Sequence, residues 1–161
     1  MRFNLYNSSF EVIAIMPEAE TFRDSFSLWI ASGMRGGDYA CFANATIDSL
    51  NLVEVSGYGT RWNNAILHYT TFKNCSLEGA IFTRTGMKDA EFIDCDLRRA
   101  TFRDCDLSSV LFGRTNLGLV AFRNCTFDRQ FDYRAAVRQG AVFTNCTGLV
   151  IPPEEHEVEG I

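Results

Sequence analysis

From Phe42 onward, every fifth residue is large and apolar. The series runs Phe42, Ile47, Leu52, Gly57, Trp62, Leu67, Phe72, Leu77, Phe82, Met87, Phe92, Leu97, Phe102, Leu107, Phe112, Leu117, Phe122 and Phe127, and Gly57 alone breaks it. Two residues before each stands a small or β-branched residue, with Leu50 the only larger one; among them are Ala65, Thr70, Cys75, Ala80, Thr85, Ala90, Cys95, Ala100, Cys105, Thr115 and Cys125. The other three positions of each unit are mostly polar. An α-helix needs apolar residues three and four apart, and a half-buried strand needs strict alternation, so neither explains this spacing. A period of five held over eighteen units marks a repeat architecture. No such unit can bury its apolar side alone, so successive turns must stack around a shared apolar axis.

The stretch AEFIDCDLRRATFRDCDLSSVLFGRTNL, Ala90 to Leu117, resembles a pentapeptide-repeat protein, whose pattern is A(D/N)LXX with a central Leu or Phe. The resemblance covers about half the chain. It implies an all-β solenoid, a right-handed quadrilateral parallel β-helix with four repeats per turn. The expected core is then Phe72, Leu77, Phe82, Met87, Phe92, Leu97, Phe102, Leu107, Phe112, Leu117 and Phe122, with Cys75, Cys95, Cys105 and Cys125 as compact fillers.

Twenty residues per turn would bring residues twenty apart into register at about 4.8 Å, the parallel-strand spacing. Three opposite-charge pairs are then expected: Glu78 with Arg98, Arg84 with Asp104, and Asp94 with Arg114. Arg103 over Arg123 is a like-charge stack. Cys75 with Cys95 and Cys105 with Cys125 form two stacked thiol pairs in the core, read as packing rather than redox groups. Cys41 falls at an outward position and is the candidate reactive thiol. Asn, Asp, Ser and Gly recur two residues after the large position, where short polar side chains suit corners.

Four segments follow: residues 1–39 as an N-terminal cap, 40–127 as the regular β-helix, 128–151 as an irregular closing coil, and 152–161 as an acidic tail. In the cap, Phe10 to Met16 reads as a strand, and Pro17 opens a helix to about Ser32, stopped by Gly33. The register returns after Phe127 as Val142-Phe143-Thr144-Asn145-Cys146, twenty-one residues beyond Ala121-Phe122-Arg123-Asn124-Cys125. The extra residue predicts a bulged loop or a turn of helix at Tyr133 to Gln139. Arg129, Tyr133, Arg134 and Arg138 are the candidate partner-binding residues of that segment.

Composition changes this picture little. The net charge of -5 comes from both ends, since Ala40 to Phe127 holds nine basic and nine acidic residues. A basic footprint for direct nucleic-acid binding is missing, and no apolar run is long enough to span a membrane as a helix. A cytoplasmic protein with reduced thiols is the expectation.

Catalytic chemistry is hard to place. His68 and His156 have no metal-spaced partner, and no phosphate loop, zinc-type spacing or nucleophile elbow occurs. No cofactor or metal site is therefore expected, and the chain reads as no enzyme. Asp94, Asp96, Asp104 and Asp106 are the densest carboxylates, but ten residues is half a turn, so the two pairs fall on opposite sides as solvated surface. The reading that follows is a non-enzymatic protein–protein interaction module presenting a rigid β-helical surface, with dimerisation through the N-terminal cap as a further expectation. The resemblance implies two alternatives: a DNA mimic that binds or protects DNA gyrase, and a secreted effector or targeting domain. The neutral column departs from the acidic one that a DNA mimic needs.

Overall fold

The computed structural model describes residues 42–150 apart from 45, 48, 50 and 55, together with strands β1 (Phe3–Tyr6) and β2 (Val12–Met16). The expected helix after Pro17, Cys41, His156 and the acidic tail lie outside the described residues. β1 and β2 pair antiparallel, Phe3 opposite Met16. β2 falls in the expected Phe10 to Met16 stretch, whereas β1 had no alternating pattern long enough to announce it.

The repeats wind into a β-solenoid of about five turns. Their three-residue strands are β3 (Asn51–Val53), β4 (Thr71–Lys73), β5 (Ile81–Thr83), β6 (Glu91–Ile93), β7 (Thr101–Arg103), β8 (Leu111–Gly113), β9 (Ala121–Arg123) and β10 (Val142–Thr144). They form two parallel sheets, in the orders β3-β4-β6-β8 and β10-β9-β7-β5. Phe72 lies over Phe92, Phe92 over Phe112, and Phe82 over Phe102, each twenty residues apart in sequence. Isolated parallel bridges such as Ser56–Ser76, Asp96–Asn116 and Ile66–Gly86 carry the two remaining sides. Four five-residue units therefore make one turn.

Phe falls ten residues apart in the repeat, so it alternates with Leu or Met around the turn. The strand sides hold the Phe rings in two stacked files, Phe72–Phe92–Phe112 at 4.9 and 5.5 Å and Phe82–Phe102–Phe122 at 4.7 and 5.3 Å. The files meet edge-on, Phe92 to Phe102 at 6.1 Å, the arrangement the ring quadrupole favours. Leu67, Met87, Leu77 and Leu97 fill the other two sides and are buried. All the expected core residues are buried except Phe112, which is half-buried.

The compact inward position carries a second function at most places where it bears a hydroxyl or thiol, Thr60 excepted, which bonds Gly57 within its own turn. Thr115 donates to the Phe92 carbonyl at 2.8 Å, and Cys75 and Cys95 reach Leu52 and Phe72 carbonyls at 3.2 Å each. Thr70 makes the equivalent bond to Ile47. These side chains tie one turn to the next with bonds shielded from water, each worth about 1 kcal/mol net. The described cysteines are free thiols. Hydrogen bonding to Cys75 and burial push the Cys95 thiol well up, and Cys105 with burial does the same to Cys125, as suits packing groups.

From Asn44 to Asn124 the corner two residues after the large one adopts left-handed backbone, Ser109 excepted. Asn44, Asn64, Asn74, Asp94 and Asn124 have φ between 52° and 59°, and Gly59 and Gly79 φ of 65° and 70°. Glu54, Tyr69, Arg84, Arg99, Arg114 and Leu119 accept the same conformation, although for such residues it costs about 1–2 kcal/mol. Backbone bonds between turns on both sides of each corner over-determine it.

The closing coil departs where the twenty-residue step from Phe112 reaches Asp132. A lone carboxylate in the apolar shaft would cost several kcal/mol. Phe131 enters the shaft instead, 5.8 Å from Phe112 and 4.5 Å from Phe127. Asp132 turns outward to cap helix α1 (Tyr133–Arg138), accepting from Ala135 N–H at 2.9 Å. Gly140, at φ 84°, then returns the chain to β10, whose Val142 pairs with Ala121, twenty-one residues back.

Candidate functional site

Because residues 128–139 leave the coil, no strand among the described residues covers β8. A groove of about 550 Å³ opens between β8 and α1. Its floor is Val110, Leu111 and Phe112, and its far wall is Phe131, Ala135 and Ala136. Leu111, the first residue of β8, is 53% exposed, a large apolar side chain left open to solvent. Asp89, Asp128 and Asp132 also line it, with Arg114.

The electrostatics of the groove are one-sided. Arg114 is held by Asp94 through two bonds of 2.6 and 2.7 Å, and the guanidinium holds the Asp94 carboxyl below the usual carboxylate range. The cation is thus neutralised from outside the groove. Asp128 and Asp132 each accept one local backbone N–H, from Gln130 and Ala135, both at 2.9 Å, which fixes their position and leaves their charge uncompensated by those bonds. An apolar floor with an acidic rim results. Gln139 completes the adjoining side, its side-chain oxygen accepting from Leu117 N–H at 2.9 Å.

The expected partner-binding residues do not line this groove. Arg129, Arg134 and Arg138 are exposed on the same segment, and Arg138 sits in the last turn of α1. Tyr133 packs on Phe143 with ring centroids 5.0 Å apart. Their neighbours Asp128, Gln130, Phe131, Asp132 and Gln139 face the cavity instead. The missed signal was Asp132 itself, a charged residue in an inward slot of the period.

The carboxylate cluster separates as half-turn spacing demands. Asp96 accepts from Arg98 at 2.7 Å and its carboxyl is held low by that guanidinium, while Asp104 pairs with Arg103 at 3.6 Å and accepts from Asn124 at 2.7 Å. Asp106 bonds the Ser108 N–H at 3.0 Å. Of the three expected pairs, Glu78–Arg98 at 3.3 Å and Asp94–Arg114 form, and Arg84–Asp104 is replaced by the Arg103 and Asn124 contacts. Arg103 and Arg123 are in register, and Asp104 tempers that repulsion. The His68 ring packs on Gly86, where an added Cβ would come within 2.8 Å of it, and its Nδ1 accepts from Lys88 N–H at 3.0 Å. Among the described residues no three metal-donor side chains gather, and no helix is long and apolar enough to cross a membrane.

Residues 58–122 match the family model described as a pentapeptide repeat region. No curated protein matches the sequence. Among solved structures, a pentapeptide repeat protein from Nostoc Pcc 7120 is similar at 20% identity and a TM-score of 0.50, over 74% of this chain and 93% of that one. A pentapeptide repeat protein from the Arabidopsis thaliana thylakoid lumen is similar at 21% identity and 0.34, over 66% and 70%. One from the cyanobacterium Cyanothece 51142 gives 12% and 0.35, over 80% and 99%. With the twenty-residue turn, the stacked Phe files and the left-handed corners, the match over residues 58–122 marks that part of the chain as a pentapeptide repeat region wound into a β-solenoid.

Proposed function

We propose that the protein is a non-enzymatic interaction module that holds a protein partner in the groove between β8 and α1. The observation that carries this reading is the groove's own chemistry: exposed Leu111 on an apolar floor, ringed by Asp89, Asp128 and Asp132. Concave apolar surface with a few placed polar groups is the usual form of a recognition site. Elsewhere on the column Asp96, Asp104 and Asp94 are held by Arg98, Arg103 and Arg114, an arrangement that suits a solvated surface rather than acid–base chemistry.

The test is partner capture by the full chain against a Leu111→Glu, Asp128→Lys variant. Both changes lie at exposed or half-exposed positions, so far-ultraviolet circular dichroism should be unchanged and the unfolding midpoint should fall only by the loss of the Gln130 N–H bond to Asp128, while the partner is lost. Equal capture by the two proteins, or turnover of a substrate that a groove substitution abolishes, overturns the proposal. The gyrase-directed alternative is checked by adding the chain to a supercoiling assay; its matched surface charges predict neither inhibition nor drug protection.

A further inference from the structure

Backbone bonds between turns follow one rule. The N–H of a large inward residue donates to the turn above, as Trp62 does to Ile81 at 2.8 Å, and so does the corner N–H, as Asp94 does to Gly113 at 2.8 Å. The carbonyl two residues before the large one accepts from above, as Ala90 does from Leu111 at 3.0 Å. Applied to β8, the rule turns Phe112 N–H, Arg114 N–H and Val110 C=O toward the next turn. β8 is the last strand of its sheet, and among the described residues no backbone group bonds to these three. All three residues line the groove.

We infer that an extended segment of a partner protein adds to β8 as a parallel strand, completing the side of the coil that residues 128–139 leave open. This rests on the interaction reading above and specifies its chemistry. Two carbonyls of the segment accept from Phe112 and Arg114, and one of its N–H groups donates to Val110. Main-chain bonds of this kind supply affinity, and alternate side chains supply selectivity. Phe131 already fills the shaft 5.8 Å from Phe112, so the inward residue of the segment is small. The residue before it lies over exposed Leu111 and is apolar. Basic residues at its ends meet Asp89, Asp128 and Asp132. β8 is three residues long, which sets the paired length.

The probe is the peptide acetyl-Lys-Leu-Ala-Val-Arg-amide, titrated into the full chain with amide exchange followed by NMR. Saturable binding is expected, with exchange at Phe112 and Arg114 slowed by at least about tenfold at saturation. The same peptide N-methylated at its Leu, which cannot donate to Val110, should not bind. Asp128→Asn with Asp132→Asn should weaken binding and leave the turn and cap intact, since Asn accepts the same backbone N–H groups. Binding with Phe112 and Arg114 exchange unchanged, equal binding of the methylated peptide, or no binding at about 1 mM overturns strand addition. The first two results leave the groove as an interaction site, whereas failure of the interaction reading itself is seen separately in the partner-capture experiment.

Discussion

Two sheets climb the same solenoid and end differently. On one side β5, β7 and β9 are followed by β10; on the other, β3, β4 and β6 stop at β8. Where the first sheet needs another ring, the sequence supplies Phe143, stacked on Phe122 at 5.0 Å. Where the second needs one, position 132 is Asp. That carboxylate cannot enter the shaft, so the chain leaves the coil, caps α1 and exposes the β8 edge. A periodic fold is thus ended on one side, and given a groove, by one polar residue in an inward slot. Exposed strand edges are normally blunted or covered; here α1 stands beside the edge without pairing to it.

The largest effect expected from breaking this contrast is in the regular column. Phe102 is fully buried between Phe82 and Phe122, and Phe102→Ala should cost about 3–5 kcal/mol in urea unfolding. Phe131→Ala, at a half-buried position beside the groove, should cost less than about 3 kcal/mol. Equal losses would mean the closing coil is packed as tightly as the column.

Next in size is the helix cap. Asp132→Ala removes the acceptor of Ala135 N–H and should cost about 0.5–2 kcal/mol, with faster amide exchange confined to α1. Smaller, and opposite in sign, is relief of a corner. Arg84 is exposed at φ 50°, so Arg84→Asn should raise stability by about 1 kcal/mol, read as a higher urea midpoint.

Acid gives the smallest effect. The Asp94 and Asp96 carboxyls are held low by Arg114 and Arg98. Groups whose folded pKa is depressed stabilise the fold above their unfolded pKa, about 3.9, and that contribution is lost as pH falls through the folded value. The unfolding midpoint should therefore decline below about pH 4, and Asp94→Asn with Asp96→Asn should flatten that part of the profile.

Much of the column was legible because inward residues in a solenoid obey strict spacing: the period of five, the twenty-residue turn, the thiol pairs and the twenty-one-residue return all follow from identity and position. Surface chemistry was less so. Glu78–Arg98 and Asp94–Arg114 form, but Asp104 chose Arg103 and Asn124, because long exposed side chains have several partners within reach and little energy to choose among them. The left-handed corners at Tyr69, Arg84 and Leu119 have no composition signal; the stacked turns impose them. The groove stayed hidden because the eye goes to the charged and aromatic residues of 128–140, whereas the informative residue was the Asp that interrupts the inward series.

The most direct measurement is native-state amide exchange at two equivalent residues of the free chain. Phe122 lies beneath a strand and Phe112 does not, so Phe122 N–H should be protected to near the global unfolding limit while Phe112 N–H exchanges orders of magnitude faster. Equal, deep protection at both positions would show that the β8 edge is closed and contradict the account.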